Sequence, residues 1–164
     1  HDERHFVETY SMRQAWEVDV HPEEACGGPL DLHLALEIEP RVVLAFEDLV
    51  ADLGDEDEPE DRLSVNLTFT WSLPPLPKGP DLLVLATELA GIGGTGLPLA
   101  VSAIDSYARV TDAPERSLNI VATVPVSLAQ VFMGTENLCD TLERCLTVSR
   151  YLLDRAPFWL DEVG

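Results

Sequence analysis

Gly91, Gly93 and Gly96, in the run Gly-Ile-Gly-Gly-Thr-Gly, carry the G-x-G-x-x-G spacing with which dinucleotide-binding proteins bring backbone amides onto a pyrophosphate. That chemistry needs a strand ending just before the first glycine and a helix starting just after the last, so that the anion meets the positive end of the helix dipole. Here an apolar helical run from Leu82 to Ala90 precedes the glycines, and Pro98 opens an extended run after them. The three glycines are the candidate cofactor-binding residues. A helix C-cap and flexible connector is the stronger reading of the same segment, and no cofactor is expected.

Other reactive side chains are scattered. His1, His5, His21 and His33 could be combined with Cys26 and nearby carboxylates, but no pair has the i, i+4 spacing or compact ligand set of a zinc site, so no metal site is expected. His33 falls on the polar side of an alternating run and reads as a solvated surface residue. The acidic run Asp55, Glu56, Asp57, Glu58, Pro59, Glu60, Asp61 lacks the glycine and alternating spacing of a calcium loop. Ser102, Ser106 and Ser127 lack a nucleophile-elbow context, and Cys139 and Cys145 have no histidine nearby in sequence. No catalytic residue is assigned, and the reading leans away from an enzyme. Asn66-Leu67-Thr68 matches a glycosylation acceptor but lies inside an expected strand, and is taken as a chance match.

The charge excludes more than the motifs do. Thirty acidic against ten basic side chains give a net charge of -20 over 164 residues. Residues 1 to 62 alone hold 19 acids and four bases, Arg4, Arg13, Arg41 and Arg62, a balance of -15. Such a field repels nucleic-acid phosphates and anionic lipid, and it attracts basic proteins. Neither nucleic acid nor membrane is an expected partner, and no apolar run, Leu82 to Ala86 included, exceeds five residues, far below the ~20 that span a bilayer. A hydrophobic content of 46% separates the chain from acidic disordered segments, and its length suits a single domain over 1–164. Three cysteines without a CxxC pair, and no visible signal peptide, favour a reducing, cytoplasmic location.

Elements that could position these residues follow from periodicity. Trp16, Val18 and Val20, then Leu30, Leu32, Leu34, Leu36 and Ile38, alternate with polar neighbours and read as an antiparallel hairpin across Pro22, Gly27, Gly28 and Pro29. Leu63 to Leu73 alternates most clearly, and Pro74, Pro75, Pro77 and Pro80 are expected to end it. Arg41 to Leu53 has apolar spacings of three and four after Pro40, which predicts a helix, with continuation of the preceding strand as the alternative. The acidic run 55–61 is then a mobile, solvated loop. Asp81 is a plausible N-cap for a helix over 82–90, which could also be a strand. Leu97 to Val110 and Leu118 to Leu128 read as two strands in central positions, joined around Asp112, Ala113 and Pro114. Finally Leu138, Leu142, Cys145, Leu146, Ser149, Leu152 and Leu153 form the stripe of a long amphipathic helix, N-capped by Thr135 and ended by Pro157. Phe158 and Trp159 follow. They either fold back on the core, the commoner outcome, or form a partner interface.

This order of strands and helices, above all the strand, Thr135-Glu136-Asn137-Leu138 and helix between Leu118 and Leu153, resembles the secretion-chaperone-like fold of bacteria, the Tir-chaperone and YbjN-like families. The resemblance covers about half the chain. Those families begin with a helix, for which only His1 to Gln14 is available here, and the helix expected over 41–53 is an addition. The resemblance implies a dimeric, non-enzymatic protein that holds an unfolded or extended segment of a partner.

The expected architecture is α+β: a mainly antiparallel sheet of about five strands, with helices chiefly on one face and a long amphipathic helix at the end. The expected role is an intracellular protein-binding module, of the secretion-chaperone type that the resemblance implies, forming a homodimer and recognising a basic or amphipathic segment. The alternatives are a small-ligand or nucleotide binder, or enzyme, using segment 91–96, and a structural subunit of a larger assembly.

Overall fold

The computed structural model describes residues 3–8, 14–20, 30–109 and 113–160, the first two stretches by their backbone alone. The chain runs through β1 (Glu3–Glu8), β2 (Gln14–Val20), β3 (Asp31–Ile38), α1 (Pro40–Ala51), β4 (Ser64–Leu76), α2 (Leu82–Gly93), β5 (Leu99–Ser106), β6 (Glu115–Ser127), α3 (Leu128–Met133) and α4 (Cys139–Leu160). The strands form one antiparallel sheet in the order β1-β2-β3-β4-β6-β5. The α+β class, the antiparallel pairing and the long final helix agree with the sequence. The strand number does not: the described residues form six rather than five, because β1 occupies the segment left for an initial helix.

Alternation in β4 organises the core. Val65, Leu67, Phe69, Trp71 and Leu73 lie on one face, and their β6 partners Val126, Val124, Ala122, Ile120 and Leu118 lie on the same face. Nearly all of these are buried, together with Leu85 and Leu89 of α2 and Val148, Leu152 and Ala156 of α4. The opposite face carries Thr68, Thr70, Ser72, Asn119 and Thr123, where hydroxyls can keep water. There Ser72 Oγ donates to Asn119 Oδ1 at 3.0 Å, and the hydroxyls of Thr68 and Thr123 meet at 3.3 Å. Burying either polar row under a helix would leave these groups to be satisfied without solvent.

Several boundaries differ from their sequence signals. β4 passes through Pro74 and Pro75 to Leu76 by way of a register shift after Leu73, since a bulge tolerates a residue that cannot donate to the ladder. β5 is an edge strand, not a central one, and only β6 pairs with it. The turn residue Asp112 lies outside the described residues. α2 continues past Ala90 to Gly93, and its start is as expected, with Asp81 accepting from the amides of Leu83 and Val84. α1 begins with Pro40 in its first turn, in agreement with the helical spacing.

α3 was not anticipated. Ser127 ends β6 and caps α3 by accepting from the Gln130 amide, and Asp61 accepts in turn from Ser127 Oγ at 2.5 Å and Gln130 Nε2 at 3.2 Å. The acidic run is exposed apart from Pro59, and its last residue is tied to this helix start. Thr135 belongs to the end of α3, where its amide donates to the Gln130 carbonyl, so it does not cap α4. Asn137 Oδ1 instead accepts from the Cys139 amide at 2.9 Å. α4 also runs through Pro157 to Leu160. Proline there forgoes one hydrogen bond to a carbonyl a turn earlier. The continuation buries Trp159, whose carbonyl accepts from the Lys78 amide at 3.2 Å.

Candidate functional site

α4 presents a different face to the sheet from the one its leucines suggest. The fully buried positions are Val148, Leu152 and Ala156, with Cys145 and Trp159 at the margins, while Leu142 and Leu146 are 49% and 51% exposed. The physical reason is Trp71. Its ring stacks on Phe69 with centroids 6.1 Å apart, and its Nε1 donates to Ser149 Oγ at 2.9 Å. Two large rings rising from the sheet admit small residues, Cys145 and Ser149, on the helix above them. Leu142 and Leu146 are rotated aside, while Leu152 stays buried.

That rotation opens a groove. Leu30, Leu32 and Leu34 at the β3 side, Phe69 at the base, and Leu142, Cys145, Leu146 and Ser149 of α4 enclose a cleft of about 310 Å³. Leu32 and Leu34 are only half-buried although their strand is interior to the sheet. Among the described residues no polar or charged side chain is buried, so the groove offers apolar contact and no charged group in its base. The Cys145 thiol is pushed up to about 12 by burial, which keeps it protonated and unreactive at neutral pH.

The glycine segment makes a different site from the one its spacing suggests. Gly91 and Gly93 lie within the last turn of α2, and Gly94 closes the helix with φ +59°. Arg144 Nη1 of α4 donates to the carbonyls of Ile92 at 3.0 Å and Gly93 at 3.1 Å, and its side chain packs beside Gly94 and Gly96. The segment therefore turns carbonyls and the negative end of a helix dipole outward, where a cation is favoured and a phosphate is not. Gly93 also packs against Leu99, and an added Cβ would lie 3.1 Å from that side chain.

A second cleft, of about 200 Å³, lies between α2 and the end of α4, lined by residues that include Val84, Glu88, Tyr151, Arg155 and Trp159. Tyr151 Oη donates to Glu88, Arg155 lies 3.4 Å from the same carboxylate, and its guanidinium stands 5.1 Å above the Tyr151 ring. The Tyr151 phenol is pushed up to about 12, by burial first and then by the Glu88 hydrogen bond and charge, with Arg155 opposing. This trio is a tie between helices and holds no activated nucleophile.

The two terminal aromatics separate. Trp159 is 9% exposed and folds back on the core, whereas Phe158 is 69% exposed. The remaining candidates stay apart. His1, His21 and Cys26 lie outside the described residues, and His5 is described by its backbone alone. His33 pairs in register with Thr70 on the polar face. Among the described residues no three His, Cys, Asp or Glu side chains could hold a metal ion, and no helix is long and apolar enough to cross a membrane. Ser102 donates to the Asn119 carbonyl, Ser127 caps α3, and Cys139 is exposed at the start of α4.

Sequence reasoning missed the groove. The available signal was an apolar stripe on α4 wider than one sheet contact requires, together with a leucine row in β3 that no following helix has to cover. No protein-family model, curated protein or solved structure matches the chain.

Proposed function

We propose that this protein is a non-enzymatic binding module that holds an apolar segment of a partner protein in the groove between β3 and α4, in the manner implied by the secretion-chaperone-like resemblance. The observation that carries the reading is the pair Leu142 and Leu146, half-exposed beside a half-buried leucine row in the interior of a sheet. Surface leucines gathered around a cleft mark recognition sites, whereas single ones do not. The net charge of -20 selects partner segments that carry lysine and arginine beside their apolar residues. A cytoplasmic setting suits the free cysteines. The homodimer expected of this class would use exposed Phe158, which lies outside the groove.

The nucleotide-binding alternative gains no support from residues 91–96, whose carbonyls engage Arg144. The test is site-directed photocrosslinking in whole-cell extract with a benzophenone side chain at position 146, and at position 102 on the polar face as control. A discrete adduct from position 146 alone, attached within an apolar segment bearing basic residues, is the expected result. Equal labelling from both positions, or stabilisation by nucleotides with no adduct at all, overturns the proposal.

A further inference from the structure

The sheet is wider than its helical cover. Six strands at about 4.8 Å spacing make a surface about 29 Å across, and helices lie side by side about 10 Å apart, so three are needed to cover one face. Among the described residues, α2 and α4 are the helices with several buried residues on the apolar face. Among the described residues α2 packs on β5 and on α4, and α4 packs on β4; no helix makes comparable contact with β1, β2 or β3. α1 follows β3 but reaches the core through Val42 and has no fully buried residue. Its Phe46 meets Phe132 of α3 edge-on at 5.9 Å, which holds it towards the β6 end of the molecule. The third position in the layer, beside α4 and over the leucines of β3, is the groove.

We infer that the occupant of this groove is a basic amphipathic α-helix of another protein, lying beside α4 as the third helix of the layer. This rests on the reading of the groove as the binding site and adds the conformation and charge of what binds. An extended segment has no ladder to join here, because both edges of β3 are already paired, with β2 and with β4. An inserted element must therefore satisfy its own backbone hydrogen bonds over an apolar surface, and a helix does so. Leu142 and Leu146, one turn apart on α4, match apolar residues at i, i+3, i+4 and i+7 of the incoming helix. Charge decides against a second copy. Residues 1 to 62, which supply β3 at the groove, carry -15, so a second copy seated in this groove would add like charge to the most acidic part of the chain, while a lysine-rich helix is drawn in.

Three synthetic peptides of about 18 residues test this. One places leucine at helical spacing with lysine elsewhere, one alternates the same residues strictly, and one replaces lysine with glutamate in the helical pattern. Binding is followed by fluorescence anisotropy and by amide chemical shifts of the isotope-labelled full chain. The expected result is that the helical lysine peptide perturbs the amides of Leu32, Leu34, Leu142 and Leu146. Its affinity should fall at least tenfold in the double variant Leu142→Glu, Leu146→Glu and several-fold at about 0.5 M salt. Both leucines are half-exposed, so that variant retains the fold, checked by its unchanged remote amide shifts. If the alternating peptide perturbs the groove as strongly, the groove stands and the helix is overturned. If the glutamate peptide binds equally, the charge selection is overturned. If no peptide perturbs the groove, or if light scattering shows a self-dimer and dilution to monomer shifts those same groove amides, both readings fall.

Discussion

At the scale of single residues, the structure answers the motif questions by environment. The spacing of Gly91, Gly93 and Gly96 was visible in the sequence, but its meaning depended on which end of a helix it occupied and on Arg144, 48 positions beyond the last glycine. Gly94 is the glycine that the backbone demands, since φ +59° with ψ -148° is a region almost closed to other residues. Tyr151 supplies a pH signature. Its value is raised from the ordinary 10 to about 12, so the neutral phenol contributes its full stability below pH 10 and loses it as the pH climbs through about 12. Tyr151→Phe should therefore cost stability at about pH 9 and progressively less as the pH rises through that window. Urea unfolding of both proteins at several alkaline pH values reads this directly; Cys145 titrates in both and cancels. A difference that does not change with pH would contradict the assignment.

Among the elements, α4 shows most plainly how far sequence reasoning reaches. Its existence, length class and amphipathic character were legible, because apolar residues recur at spacings of three and four over more than five turns. Its rotation was not. Hydropathy ranks leucine above cysteine, serine and alanine, whereas the approach of a helix to Trp71 and Phe69 favours the smaller residues. Leu152→Ala should cost roughly 2 to 5 kcal/mol, because Leu152 is fully buried, and Leu142→Ala under about 1 kcal/mol, because half its surface is already wet. Denaturant titrations that return equal losses would show that the stripe had been read correctly from the sequence and that the groove is closed in solution. α3 and β1 were missed for a related reason. Each is six residues long, too short for periodicity to separate helix from strand.

For the molecule as a whole, the antiparallel α+β architecture was legible from one-sided alternation, since a parallel sheet would be buried on both faces. The order of strands was not, because nothing local tells β4 to pair with β6 and skip β5. That crossing has a kinetic consequence. Phe69 and Ala122 sit opposite each other in the ladder although 53 residues separate them along the chain. Closing so long a loop loses entropy before its contacts form, so refolding should take milliseconds to seconds, with the β4–β6 pairing in its transition state. Stopped-flow refolding of Ala122→Gly should be slowed more than its unfolding is accelerated; the reverse would place that pairing after the barrier. α2 and β5 lie inside the loop being closed, so they dock on a seam made by strands on either side of them. Until β6 arrives, β4 carries its whole row of Val65, Leu67, Phe69, Trp71 and Leu73 with one edge unpaired. The interval before closure is thus when this chain is most open to misassociation with its own copies, and a charge of -20 is the means by which those copies keep apart.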